Sequence, residues 1–248
     1  MQKVNIDKNF YKGYVIDFDY GTNANLFHND KYMVKEYLKG KVTPDIEKIV
    51  TKASELDNPH VVKPEFGLYS KGKFVGYGME YIKNASYINS FITNNIKYPI
   101  LSFNQRKQLM LDLARTVRYL YENNFAYYDL HENNILYAED GLKLIDIDGS
   151  ILKGTVNAGM DFNAAIRKTT KNLSLFTLAF IYNNDPETFR YLVTERDQIL
   201  DMLPSRLEEF FTYAIDDNYK VYPYVEDRIN ELSIDVFNKT GSVLKRKL

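Results

Sequence analysis

Residues 127–149, YYDLHENNILYAEDGLKLIDIDG, set a carboxylate (Asp129), a carboxamide five positions on (Asn134) and a second carboxylate (Asp146) around two short apolar runs. The runs, 135–137 and 142–145, are separated by Asp140-Gly141, a dipeptide that favours a tight hairpin turn. If they pair as strands, Asn134 and Asp146 emerge together at the open end of the hairpin. Two hard oxygen donors side by side suit Mg²⁺, which prefers oxygen and completes its shell with water and phosphate. Asp129 stands just before the hairpin, where it can accept a proton from a hydroxyl group. Together these positions spell out a layout for phosphoryl transfer.

The same residues carry a family resemblance. Asp129-Leu130 followed by Asn134, then the triplet Asp146-Ile147-Asp148, resembles the D-L-x-x-x-x-N catalytic loop and D-F-G-like metal motif of the eukaryotic-type protein kinase superfamily. The resemblance implies ATP and Mg²⁺ as cofactors, with Asp129 as base and Asn134 and Asp146 as metal ligands. It implies that Leu136 forms the floor of an adenine pocket. The match departs from the protein kinases in several places. Tyr127-Tyr128 replaces the histidine and arginine before the aspartate, which removes the usual partner of a phosphorylated activation loop. His131 stands where lysine is usual, and D-L-H is frequent in small-molecule phosphotransferases of the same fold. His131 either contacts the γ-phosphate or packs beside the loop. Asp148 either holds a second metal or ends its strand. No A-P-E motif follows.

Strands are expected over 14–19, 26–27 and 31–38. Between the first two, Gly21 is the one glycine matching the kinase glycine-rich loop, and it reads equally as an ordinary hairpin turn. The third strand carries Tyr32-Met33-Val34-Lys35, similar to the V-A-I-K strand whose lysine reaches the α- and β-phosphates. Thr43-Pro44-Asp45 starts a helix, with a hydroxyl cap, proline in the first turn and an acid at the positive end of the dipole. Glu47 in that helix is the first candidate to pair with Lys35, and Glu55 the fallback. Strands at 61–62, 66–69 and 73–79 follow, with a turn at Lys71-Gly72. The run 78–82 resembles the kinase hinge: Met79 behind the adenine, the backbone around Glu80 and Tyr81 hydrogen-bonding it, and a short helix over 86–92. Residues 103–124 form the clearest helix, with Leu109, Leu113, Val117 and Leu120 as its apolar stripe. A further helix begins at Lys171, with Asn172 where the family carries aspartate. Helices are expected over 189–193, 199–203, 207–215 and 225–232.

The fold expectation is α+β and two-lobed, as in protein kinases: an antiparallel sheet plus one helix in residues 1–80, and a mainly helical lobe in 81–248. The chain has 248 residues, 45% of them hydrophobic and 26% charged, enough to bury a substantial core. A net charge of −1 gives no reason to expect nucleic acid as a partner. There is no cysteine, which excludes disulfides, thiolate metal sites and a cysteine nucleophile. No apolar run approaches the ~20 residues of a membrane helix, and the N-terminus lacks a signal-like apolar core. A soluble cytoplasmic protein is expected, partnered by ATP and by a protein substrate or a small-molecule hydroxyl acceptor. The expected function is a Ser/Thr protein kinase-like phosphotransferase. The alternatives are a small-molecule kinase and a pseudokinase that binds nucleotide as a scaffold.

Overall fold

The computed structural model describes residues 1–7, 9–17, 23–88, 90, 101–155, 159–182 and 225–231. It is a mixed α+β structure. A six-stranded sheet runs in the order β1 (Gln2–Asn5), β5 (Pro64–Ser70), β6 (Lys73–Glu80), β4 (Tyr32–Tyr37), β3 (Ala24–His28), β2 (Val15–Asp17). Five of these strands are those expected from the sequence, and β1 is additional. The sheet is therefore not wholly antiparallel, because β1 pairs parallel with β5. Lys71 and Gly72 both take positive φ, the backbone a tight turn between β5 and β6 requires.

One face of the sheet buries Tyr37, Tyr77 and Met79 with Val50 of α1 (Pro44–Ala53). The other face buries Val34, Phe66 and Leu68 beneath Val4, Ile6, Phe10 and Tyr11 of the N-terminal segment. Helix α1 begins as expected: the Thr43 side chain accepts from the Ile46 N–H, and Pro44 lies in the first turn. Gly76 of β6 lies against the backbone of Lys35. A Cβ there would come within 2.1 Å of the Lys35 carbonyl oxygen, so any larger residue would push β4 and β6 apart.

The second core is helical. Helix α2 (Phe103–Glu122) opens with a capping box between Ser102 and Gln105, which satisfies donors at both ends of that turn. Its buried stripe contains all four predicted residues, Leu109, Leu113, Val117 and Leu120. They pack on the hairpin β9 (Ile135–Ala138) and β10 (Gly141–Leu144), on α3 (Phe162–Tyr182) and on α4 (Glu226–Glu231). The hairpin's register closes at Ala138 opposite Gly141. The turn residues are thus Glu139-Asp140, and Gly141, at φ 112°, opens β10.

Three other expectations differ from the structure. Val61 and Val62 form no strand, and Val61 makes only an isolated bridge to Leu144. Residues Ser86–Tyr87 form a strand, β7, rather than the start of a helix, because β9 offers them an unpaired edge. Helix α3 starts at Phe162, ahead of Lys171, because the Asp161 carboxylate accepts the Ala164 N–H and caps it. Gly21 and the helices expected over 189–193, 199–203 and 207–215 lie outside the described residues. No helix among the described residues is long and apolar enough to cross a membrane.

Candidate active site

A short strand, β8 (Phe125–Ala126), pairs with β11 (Ile151–Leu152) and delivers the chain to Asp129. Three side chains then fix the loop. The buried Tyr127 hydroxyl donates to the Ile145 carbonyl at 2.5 Å, joining the segment before Asp129 to the segment before Asp146. The Asn172 amide of α3 donates to the Tyr128 carbonyl at 3.2 Å. The Asn134 amide donates to the Asp129 carbonyl at 3.0 Å and to its Oδ2 at 3.3 Å. A backbone carbonyl can only accept, so the NH₂ of Asn134 must face Asp129, and its Oδ1 is left as the acceptor. Asn134 itself ends a single 3₁₀ turn, Glu132–Asn134, which His131 caps by accepting the Asn133 N–H at 3.2 Å.

Asn134 and Asp146 do flank the open end of the hairpin: Ile135 pairs with Leu144, and the Ile145 N–H donates to the Asn134 carbonyl at 3.1 Å. Asp146 sits in the left-handed region, φ 61° and ψ 38°, which its short polar side chain tolerates better than most. A strained backbone at such a position is a common mark of a functional residue.

Lys35 rises from β4 into this corner and meets both acids. Its ammonium pairs with Asp146 Oδ1 and donates to the two oxygens of Asp148 at 2.9 and 3.1 Å. Asp148 also accepts from the Tyr37 hydroxyl at 2.5 Å and the Tyr77 hydroxyl at 2.6 Å. Sequence reasoning missed both tyrosines. The available signal was positional: Tyr37 shares a strand face with Lys35 two residues away, and Tyr77 is its cross-strand partner. The expected pairing of Lys35 with Glu47 is not formed. Glu47 accepts instead from the Tyr69 hydroxyl at 2.7 Å, raising that phenol to about 12 through burial first and the carboxylate second. Glu55 pairs with Lys52 on the same helix. Asp148 fills the position that a helix acid was expected to take.

The electrostatics separate the two acids. Burial works against the charge of Asp148, but Lys35, Tyr37 and Tyr77 outweigh it and hold this carboxyl below its ordinary range. Burial and the neighbouring Asp148 raise Asp146, and Lys35 only partly offsets them. Burial likewise opposes the Lys35 ammonium, and the two carboxylates more than compensate. The Asp146 side chain remains 35% exposed against 6% for Asp148. The acid short of positive charge is therefore the one open to an incoming cation.

Asp129 is half-exposed, with His131 Nε2 3.7 Å from its Oδ2. The His131 imidazole, near but beyond hydrogen-bond reach, lowers the Asp129 carboxyl more than burial raises it, and Lys168 adds to the effect. The Asp129 carboxylate in turn raises His131. The Lys168 ammonium lies 4.8 Å from the centre of the Tyr128 ring, in the neighbourhood of Asp129. The stability contributed by His131 is complete below its unfolded pKa of ~6.5 and fades as pH rises through the higher folded value; that of Asp129 is complete above ~3.9 and fades as pH falls through the lower folded value. Both groups are more than a third exposed, so the contribution to folding is small. The direct check is an NMR titration of His131. Its midpoint lies above ~6.5 and falls back in Asp129→Asn; a midpoint indifferent to that substitution rules the contact out.

The nucleotide-side candidates cluster less tightly. Met79 is buried in the sheet core that also holds Ala24 and Tyr77, a cluster against which Ile82 and Ile145 pack. Leu136 is half-buried on β9. The Tyr81 N–H, expected to face adenine, donates instead to the Lys31 carbonyl at 2.9 Å. In a trans peptide the preceding carbonyl points the opposite way, so the Glu80 carbonyl turns away from β4. The Tyr81 ring stacks on His28 at 4.5 Å.

Among the described residues no group of three or more His, Asp or Glu could hold a metal ion. Asn134 Oδ1 and Asp146 are two oxygen donors at this end of the hairpin, a type of donor that suits Mg²⁺ when further oxygens come from outside the protein. No protein-family model matches the chain, and no curated protein matches it.

Proposed function

We propose that the chain is an ATP- and Mg²⁺-dependent phosphotransferase with a two-lobed, protein kinase-like arrangement, residues 1–80 forming one lobe and 81–248 the other. The observation that supports this most is the convergence of a lysine, a base, a carboxamide and two acids drawn from distant parts of the sequence. Lys35 reaches Asp146 across 111 positions, while Asn134 ties Asp129 to the hairpin that carries Asp146. A purely structural salt bridge needs neither Asn134 nor a half-exposed, charge-stabilised Asp129.

In this reading Asp129 orients the acceptor hydroxyl and takes its proton as the oxygen forms a bond to the γ-phosphorus. The bond from that phosphorus to the bridging oxygen breaks, and ADP leaves. Lys35 presents its ammonium to the phosphates, and the Glu80 carbonyl is the backbone acceptor for the adenine amino group. Mg²⁺, held by Asn134 and Asp146, supplies charge neutralisation on the phosphates. The rate enhancement comes from positioning and electrostatics.

A hydroxyl of a protein Ser or Thr is the first acceptor class. A small-molecule hydroxyl is the second reading, favoured by the early start of α3 at Phe162, which leaves little chain after Gly149 for a peptide-docking segment. The deciding experiment supplies γ-labelled ATP and Mg²⁺ to the purified protein in cell extract, with Asp129→Ala as control. Label on protein, absent with the variant, identifies a protein kinase. Label confined to small molecules identifies the second class. No label in either fraction, with nucleotide still bound, sinks the enzyme reading in favour of a scaffold.

A further inference from the structure

Asp148 is held unlike any other acid in the chain's described part. Both of its oxygens accept from Lys35, Oδ2 also accepts from Tyr37, and Oδ1 also accepts from Tyr77. The two phenols arrive from different strands, β4 and β6, and Tyr77 is completely buried. Turning this carboxylate toward any other partner would strand two buried hydroxyls and an ammonium. Asp146 has no such clamp: Lys35 meets it through one oxygen, and a third of its side chain is open. Lys35 therefore has one partner it can give up and one it cannot.

We propose that Asp148, clamped by Tyr37 and Tyr77, is the permanent counter-ion of Lys35 and the pivot about which that ammonium turns from Asp146 to a nucleotide phosphate. Asp148 is a positioning residue, and its role rests on the phosphotransfer reading above. In this structure Lys35 covers Asp146. Loading the site exchanges one partner of Lys35 and keeps the other, so the lysine stays aligned without any acid from α1. Glu47, engaged by Tyr69, takes no part.

The test combines two readouts on the full chain: acylation of Lys35 by an amine-reactive ester, followed by mass spectrometry with and without Mg²⁺–ATP, and steady-state kinetics. Tyr37→Phe keeps the ring and removes one bond to Asp148. It is expected to raise the acylation rate of nucleotide-free Lys35 by about threefold to tenfold, and KM for ATP by more than kcat falls. Tyr37→Phe/Tyr77→Phe gives larger changes of the same kind. Glu47→Gln changes both readouts by less than about twofold.

The proposal is overturned if Glu47→Gln moves Lys35 reactivity or KM while Tyr37→Phe leaves them alone. Should the double variant fail to fold, the single Tyr37→Phe still decides. If the wild-type protein transfers no phosphate yet Lys35 reactivity follows the tyrosines, the enzyme reading fails and the pairing stands. Transfer that is indifferent to Tyr37→Phe leaves the enzyme and removes the pivot.

Discussion

Asp129→Asn is expected to lower turnover by about 10²- to 10⁴-fold, the span typical of losing a positioned general base, while nucleotide affinity changes little. The substitution is nearly isosteric and falls on a half-exposed side chain, so the fold does not depend on its charge. The loop around it is held by other groups: Tyr127 on the Ile145 carbonyl, Asn172 on the Tyr128 carbonyl, and Asn134 on the Asp129 carbonyl. None of these uses the carboxylate as its main anchor. What the variant loses is a charged acceptor, kept ionised by the neighbouring His131 and Lys168. A carboxamide in its place can still receive a hydrogen bond but cannot hold the proton. The checks are kcat and KM for ATP, with binding of a fluorescent nucleotide measured separately. Turnover that survives the change removes Asp129 from the chemistry. Nucleotide binding lost in parallel with turnover would make Asp129 a binding residue instead.

The parts of this site legible in the sequence were those with short-range signals. The hairpin over 135–144 showed itself by two apolar runs around a turn, and its register did bring Asn134 and Asp146 to one end. Helix α1 was marked by its cap and α2 by its stripe. What escaped depends on partners far apart in the chain. The environment of Asp148 is assembled from Tyr37, 111 positions away, and Tyr77, 71 positions away, so nothing near Asp148 announces it. Strand β1 is short and gains its partner only by parallel pairing to β5. The assignment of Glu47 failed for a related reason. The helix was read correctly, but which side chain a helix acid meets is set by the strands beneath it, and there Tyr69 came first. The early start of α3 was missed: its local cue is the Asp161 cap, and the turns that follow carry the poor helix formers Asn163, Thr169 and Thr170.

The second large effect concerns stability. Lys35→Met is expected to destabilise the protein by about 3–5 kcal/mol near neutral pH, the usual consequence of removing one partner from a buried ion pair. Replacing a whole buried pair with apolar groups can be neutral. This variant instead removes the cation that pairs with both Asp146 and Asp148 and leaves the two acids facing each other. Tyr37 and Tyr77 still solvate Asp148, but nothing then offsets the effect of burial on Asp146. In the wild type, Asp148 is depressed, so its share of stability is present above ~3.9 and lost only as pH falls through a still lower folded value. Lys35 is raised, so its share is complete below ~10.4. Between roughly pH 5 and 8 these two groups leave wild-type stability flat, and within this cluster it declines only through Asp146, raised to about 6 by burial and Asp148, as pH rises to that value. In Lys35→Met the acid pair titrates higher when folded than when unfolded, the folded state binds more protons, and stability falls as pH rises through that window. Urea midpoints at several pH values measure this directly. A variant as stable as the wild type at pH 8, with no slope, would mean that Lys35 does not hold these two carboxylates together.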